Sequence, residues 1–167
     1  MSVSYANRGR SFEQIIEYAN VQYKLKGWGL IQKVPTPWRV LRKGKQIISA
    51  HPERKSTVDF VGVANGKAIA FDAKSTRERT RFPLSNIEQH QMDFLKQFYD
   101  QGGKAFILLE FVKFNETYLI PFDSLLEYWN KAMTGGRKSI PYSDMINFPL
   151  VRSNRGIVLD YLAAARL

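Results

Sequence analysis

The chain has 167 residues with 44% apolar and 24% charged positions, enough apolar content for one domain with its own core, and a net charge of +10. It lacks cysteine, which excludes disulfides, zinc-thiolate centres and cysteine nucleophiles. No apolar run approaches the roughly 20 residues that span a bilayer, and no apolar signal segment stands at the N-terminus, so a cytoplasmic protein without membrane contact is expected.

Asn7-Arg8-Gly9-Arg10 is a polar lead whose guanidiniums, Arg8 and Arg10, suit a phosphate or a partner subunit. From Ser11 to Lys26 the spacing of Phe12, Ile15, Ile16, Ala19 and Tyr23 predicts an amphipathic helix, capped by Ser11 and ended by Gly27. Glu13 lies about 100° from Phe12 around that helix. It borders the buried face, and from the pattern alone it is as readily a solvent-facing residue as a functional one. Trp28 to Val34 reads as a first strand, and Pro35-Thr36-Pro37 interrupts it.

Two short apolar alternations follow between Trp38 and Lys55, joined by Lys43-Gly44-Lys45, and predict a basic β-ribbon inserted at about 36–56. Arg39, Arg42, Lys43, Lys45, Arg54 and Lys55 give it a phosphate-binding character, against the alternative of a solvated hairpin. Trp38 can stack on an exposed base or pack on the body.

The run from Asp59 to Lys74, DFVGVANGKAIAFDAK, centres on Asn65-Gly66, the dipeptide of a two-residue hairpin turn. Residues paired across that turn sum to 131, so Asp59 faces Asp72, and Lys74 lies two residues along on the same face as Asp72. Two facing carboxylates repel and raise one pKa unless a cation lies between them. Hard divalent ions take such oxygen ligands, and the lysine adds a compact positive charge beside a phosphate. The bare spacing also fits a salt-bridged surface hairpin.

Charge distribution favours the chemical reading. Residues 1–83 hold sixteen Lys and Arg against six Asp and Glu, whereas residues 84–167 hold nine of each. Carboxylates in a basic field point to a polyanionic substrate whose backbone needs a metal. Beyond Lys74, the stretch from Ser75 to Arg81 carries Arg77, Arg79 and Arg81 and predicts a loop at the lip of the site. Ser85 and Glu88 match a capping box for a helix to about Asp100 that buries Ile87, Gln91 or Met92, Phe94, Leu95 and Phe98, interrupted early by Gln89, His90 and Gln91; an amide or imidazole there suits water or substrate binding at the DNA, with a structural hydrogen bond the alternative for His90. Lys104 to Lys113 predicts a central strand, Thr117 to Ile120 another, and Asp123 caps a helix over Ser124 to Met133. Gly135-Gly136-Arg137-Lys138-Ser139 lacks the spacing of a nucleotide-triphosphate loop, and a short helix is expected near Ser143 to Asn147. The order predicts an α/β fold, a mixed central sheet flanked by helices, in one domain over 1–167.

The ordered set Asn7-Arg8-Gly9, Lys33-Val34-Pro35-Thr36-Pro37, Ser56 to Gly62, Asp72-Ala73-Lys74, Phe82-Pro83-Leu84, His90-Gln91 and Gly135 to Ser139 resembles the PD-(D/E)xK nucleases. Within them it resembles the RecU-like Holliday junction resolvases of Gram-positive bacteria and their phages. The resemblance implies a restriction-endonuclease-like core and a homodimer that nicks four-way DNA junctions symmetrically, using Mg²⁺ with Mn²⁺ as a substitute. It implies that Asp59 and Asp72 bind metal with the Ala73 carbonyl, that Lys74 is the motif lysine, and that Glu13 completes or supports the site. It implies that the ribbon is a stalk entering the junction. A recombinase or branch-migration partner is left open, as are a cellular or phage origin, another DNA endonuclease activity of the superfamily and a noncatalytic junction-binding role.

Overall fold

The computed structural model describes residues 11–52 and 57–167. Helix α1 (Phe12–Lys26) starts where Ser11 Oγ accepts from the Gln14 N–H while Gln14 Oε1 accepts from the Ser11 N–H. It stops at Gly27, whose φ of 68° is the left-handed conformation that closes a helix C-terminus. Phe12, Ile16, Ala19 and Tyr23 form its buried stripe, as their spacing predicts.

A six-stranded sheet runs in the order β1 (Gly29–Lys33), β4 (Phe60–Ala64), β5 (Lys67–Thr76), β7 (Lys104–Phe111), β8 (Glu116–Pro121) and β10 (Leu150–Val151). The β5–β7 pair is parallel and its other pairs are antiparallel, which makes the sheet mixed. Side-chain alternation gives the central strands β5, β7 and β8 two buried faces. On one face Phe60, Phe71, Phe106 and Leu108 pack with α1 and the C-terminal helix α4 (Tyr161–Ala164). On the other, Ala70, Ile107, Leu109 and Ile120 pack with α2 (Gln89–Asp100) and α3 (Phe122–Met133). Mixed α/β architecture thus follows from a sheet whose central strands are apolar on both sides.

Register fixes what reaches each face. Phe60 pairs with Phe71, and Phe71 with Phe106, so three rings stack across three strands at 5.0 and 4.8 Å between centroids. The Asn65-Gly66 turn forms as predicted, with both residues at positive φ. Its pairs, from Phe60 with Phe71 to Ala64 with Lys67, keep the predicted sum of 131. Gly62 is required where β4 pairs with β1, since a Cβ there would lie 2.2 Å from the Leu30 carbonyl oxygen.

Strands β2 (Trp38–Lys43) and β3 (Gln46–Pro52) form a separate two-stranded hairpin with a bulge after Leu41. Every side chain from Trp38 to His51 is exposed. A further small sheet pairs β6 (Arg81–Pro83) with β9 (Ser139–Pro141).

Three boundaries differ from expectation. Leu84 to Asn86 form a 3-10 turn because Leu84 and Ile87 are both drawn into the core, so α2 begins at Gln89 with Glu88 and Gln91 as its capping box. Helix α3 begins directly after Pro121, and Asp123 lies in its first turn instead of capping it. Tyr142 to Asn147 is 3-10, with Met145 as its buried anchor.

Candidate active site

Phe71 faces α1, so its neighbour Asp72 faces α2, where it is fully buried. Asp59 stands at the start of the adjacent strand. The Asp59 N–H donates to Asp72 Oδ1 at 3.2 Å, and the Ala73 N–H donates to Asp59 Oδ2 at 2.8 Å. These reciprocal bonds lock the two carboxylates together across the hairpin.

Lys74 follows on the Asp72 side of the sheet, and its ammonium lies 2.6 Å from Asp72 Oδ2. Gln91, in the first turn of α2, completes the cluster. Its amide nitrogen lies 3.1 Å from both Asp72 oxygens, while its carbonyl oxygen accepts from Lys74 Nζ at 3.1 Å and from the Glu88 N–H at 3.0 Å. The capping box of α2 is therefore also the support of the carboxylate. Gln91, expected to face the site and bind water or substrate there, is almost completely buried against Asp72 and Lys74. Only the folded position of α2 reveals this contact, because the amide interrupts an apolar stripe without naming its partner.

Burial, followed by the facing charge of Asp59, pushes the Asp72 carboxyl up to about 7, against the opposing pull of Lys74. The folded chain therefore retains a proton that the unfolded chain releases near its ordinary value of 3.8. The penalty of holding Asp72 ionised is absent below the ordinary carboxylate range, grows between it and pH 7, and is full above. The contribution of this carboxyl to the stability of the metal-free protein should consequently fall as pH rises from about 4 to about 8, and Asp72→Asn should flatten that dependence. Thermal unfolding of both proteins in EDTA across that range measures it; an equal pH dependence in the variant would contradict the charge argument.

An oxygen-only donor pair whose negative charges strain one another suits a hard divalent cation. Among the described residues no cluster of three or more His, Cys, Asp or Glu side chains adds to Asp59 and Asp72. Glu13 is half-exposed on α1, and its carboxylate lies 2.6 Å from Lys33 Nζ, which also meets Glu17 at 3.4 Å. Lys33 pairs with Phe60 in the sheet, so this ion pair borders the Asp59 strand end.

Of the residues expected at DNA, Trp38, Arg39, Arg42, Lys43 and Lys45 are exposed on the β2–β3 hairpin. Arg77, Arg79 and Arg81 are exposed on the segment that leads from β5 into β6. His90 is partly exposed beside Glu88, with 3.6 Å between Nδ1 and the carboxylate. Arg8, Arg10, Arg54 and Lys55 lie outside the described residues.

The family model described as "Recombination protein U" matches residues 7–166. A "Holliday junction resolvase RecU" of Oenococcus oeni is 36% identical over 173 residues, covering 99% of this chain and 87% of that protein. Its namesake of Oceanobacillus iheyensis is 39% identical over 168 residues, covering 96% and 85% respectively. A solved structure of Hjc, described as a Holliday junction resolvase from Archaeoglobus fulgidus, matches with a TM-score of 0.49 at 14% identity, covering 81% of this chain and 93% of that one.

Proposed function

Since the chain belongs to the recombination protein U family, we propose that it is a Holliday junction resolvase, an endonuclease that places paired symmetric nicks in four-way DNA junctions. The observation that carries this reading is the closed constellation of Asp59, Asp72, Lys74 and Gln91 on one side of a mixed sheet.

Asp59 and Asp72, with the Ala73 carbonyl, would hold Mg²⁺, for which Mn²⁺ substitutes. The ion supplies Lewis-acid stabilisation of the phosphate and a water of lowered pKa. Lys74, whose side chain is only 17% exposed, holds its charge beside Asp72 and is placed to offset negative charge developing on the phosphate. Gln91 bonds Asp72 and Lys74 at once and so fixes their relative orientation. Glu13, held by Lys33 at the margin, supports the site through its charge and orients water there.

Two equivalent nicks are most simply made by two equivalent sites, and a homodimer with a twofold axis supplies them. The exposed β2–β3 hairpin reads junction shape through its cations and Trp38, and Arg8, Arg10, Arg54 and Lys55 are further DNA-binding residues in this reading. His90 and Arg77 to Arg81 line the approach to the scissile strand. Among the described residues no helix is long and apolar enough to cross a membrane, and the bacterial cytoplasm is the proposed setting.

The test is cleavage of a mobile four-way junction beside a linear duplex of the same sequence, in Mg²⁺ and in EDTA. Symmetric nicking of the junction alone, dependent on metal, is the expected result. Equal cutting of both DNAs would make it a general endonuclease, and a bound, uncut junction would make it an architectural protein. Replacing Arg42, Lys43 and Lys45 together by Gln should weaken junction binding and lower the slope of log affinity against log salt by about 2 to 3, near one for each phosphate left unneutralised. An unchanged slope would place the DNA elsewhere than on the hairpin.

A further inference from the structure

The loop between α3 and β9 carries two cations that nothing above employs. Gly135 has a φ of 90°, and the Gly136 N–H donates to the Lys131 carbonyl at 2.8 Å, closing the end of α3. A Cβ on Gly136 would lie 2.6 Å from that same carbonyl oxygen, so this tight turn requires glycine. Arg137 and Lys138 follow immediately, both exposed.

Their position relative to the site is set by the β6–β9 ladder. Phe82 pairs with Ile140, both fully buried, which anchors the two segments to the core together. Backbone bonds extend the ladder at each end. The Leu84 N–H donates to the Lys138 carbonyl at 3.1 Å, and the Tyr142 N–H to the Thr80 carbonyl at 2.8 Å. The segment from Thr80 to Leu84 is the connection between β5, which bears Asp72 and Lys74, and α2, which bears Gln91. Arg137 and Lys138 thus stand beside the strand that joins the two halves of the site.

Charge then selects the ligand. Among the described residues, Arg77, Arg79, Arg81, Arg137 and Lys138 enter no salt bridge, as is true of most of the Lys and Arg side chains; what sets these five apart is that two segments paired in one ladder carry them. Arg137 donates its Nε–H to Ser139 Oγ at 3.2 Å, which orients the guanidinium and leaves its terminal nitrogens for another acceptor. Arg137 also lines a cavity of about 530 Å³ with Lys131, Tyr128 and Asp144. The Asp144 carboxylate there already accepts from the Tyr128 and Ser143 hydroxyls. Five cations without carboxylate partners, carried by two segments tied into one ladder, match a track of backbone phosphates.

We propose that Arg137 and Lys138 are DNA-positioning residues, binding phosphates of the arm that runs past Arg77, Arg79 and Arg81 and holding its strand against the Asp59–Asp72 pair. This rests on the resolvase reading in its choice of DNA. The loop binds phosphate and leaves the chemistry to the carboxylates.

The test is the R137Q/K138Q double variant, with junction and linear duplex binding followed in EDTA from 50 to 200 mM salt and cleavage followed in Mg²⁺. We expect the slope of log affinity against log salt to fall by about 2, since each neutralised phosphate contributes roughly 0.9. Junction KM should rise about tenfold, with kcat within about twofold of the parent. The charge-preserving R137K/K138R variant should restore the slope, which a purely structural role would not require. Lys96→Gln, whose lysine is paired with Asp100, serves as the surface-charge control.

An unchanged slope in R137Q/K138Q, or an equal fall in Lys96→Gln, overturns the assignment, and thermal unfolding of each variant excludes loss of fold. Equal affinity of the parent protein for junction and duplex would defeat the resolvase reading alone, because the slope on either DNA still decides whether these two cations meet phosphate. A parent protein that binds neither DNA defeats both.

Discussion

Asp59→Asn is expected to reduce metal-dependent junction cleavage by at least about a hundredfold while leaving junction affinity within about threefold. Removing even a group behind a metal ligand commonly reduces activity about 10–100-fold, so removing the charge of a carboxylate proposed to hold the metal sets that range as the minimum. The asparagine can still accept from the Ala73 N–H, which keeps the hairpin bond that Asp59 Oδ2 makes at 2.8 Å. Loss of activity would therefore report charge and not collapse. Binding should survive because the exposed cations of the β2–β3 hairpin are untouched. Single-turnover cleavage in Mg²⁺ beside binding in EDTA separates the two effects, and wild-type cleavage by Asp59→Asn would remove this residue from the centre.

Phe71→Ala carries the largest expected effect on stability. Phe71 is fully buried, stacks between Phe60 and Phe106, and meets the Tyr161 ring at 5.0 Å. Truncation leaves a cavity touching three strands and α4, and such Phe→Ala changes typically cost about 3–5 kcal/mol. A domain with a total stability of roughly 5–15 kcal/mol would lose a large part of it. Urea unfolding should show a lower midpoint with little change in slope, and Phe71→Leu should recover most of the loss. A loss below about 1 kcal/mol would mean that the ring stack relaxes around the cavity.

The carboxylate pair was legible because it depends on local chemistry. Asn65-Gly66 sets the turn, the turn sets the register, and the register sets Asp59 against Asp72. The α1 boundaries were legible for the same reason, since Ser11 and Gly27 act within one helical turn of the ends they define. The start of α2 was not. Ser85 with Glu88 and Glu88 with Gln91 both satisfy a capping spacing, and the choice between them is made by Leu84 and Ile87 entering a core assembled from distant strands.

Gln91 and Glu13 show the same limit at the site. The amide finds Asp72 and Lys74 only because α2 docks over β5, and the Glu13–Lys33 pair exists only because α1 crosses β1. The short C-terminal elements, β10 and α4, carry too few residues to declare a period. They are held by tertiary bonds such as Tyr23 Oη–H to Asp160 Oδ1 at 3.0 Å.

The β4–β5 turn and the connection through α2 assemble the site on two different schedules. A hairpin brings Asp59 and Asp72 together with only twelve residues between them, a meeting of low entropic demand. The contacts of Gln91 and the burial of Asp72 need α2 folded back and β7 paired with β5, contacts of longer sequence separation that contact order predicts to close later. Reversal of that last step, a local opening of α2 with the hairpin intact, returns Asp72 to water and relaxes its carboxyl toward ordinary acidity. Amide exchange at Gln91 and Met92 thus becomes a clock for the intact centre, slowed by any ligand that needs Asp72 ionised and enclosed.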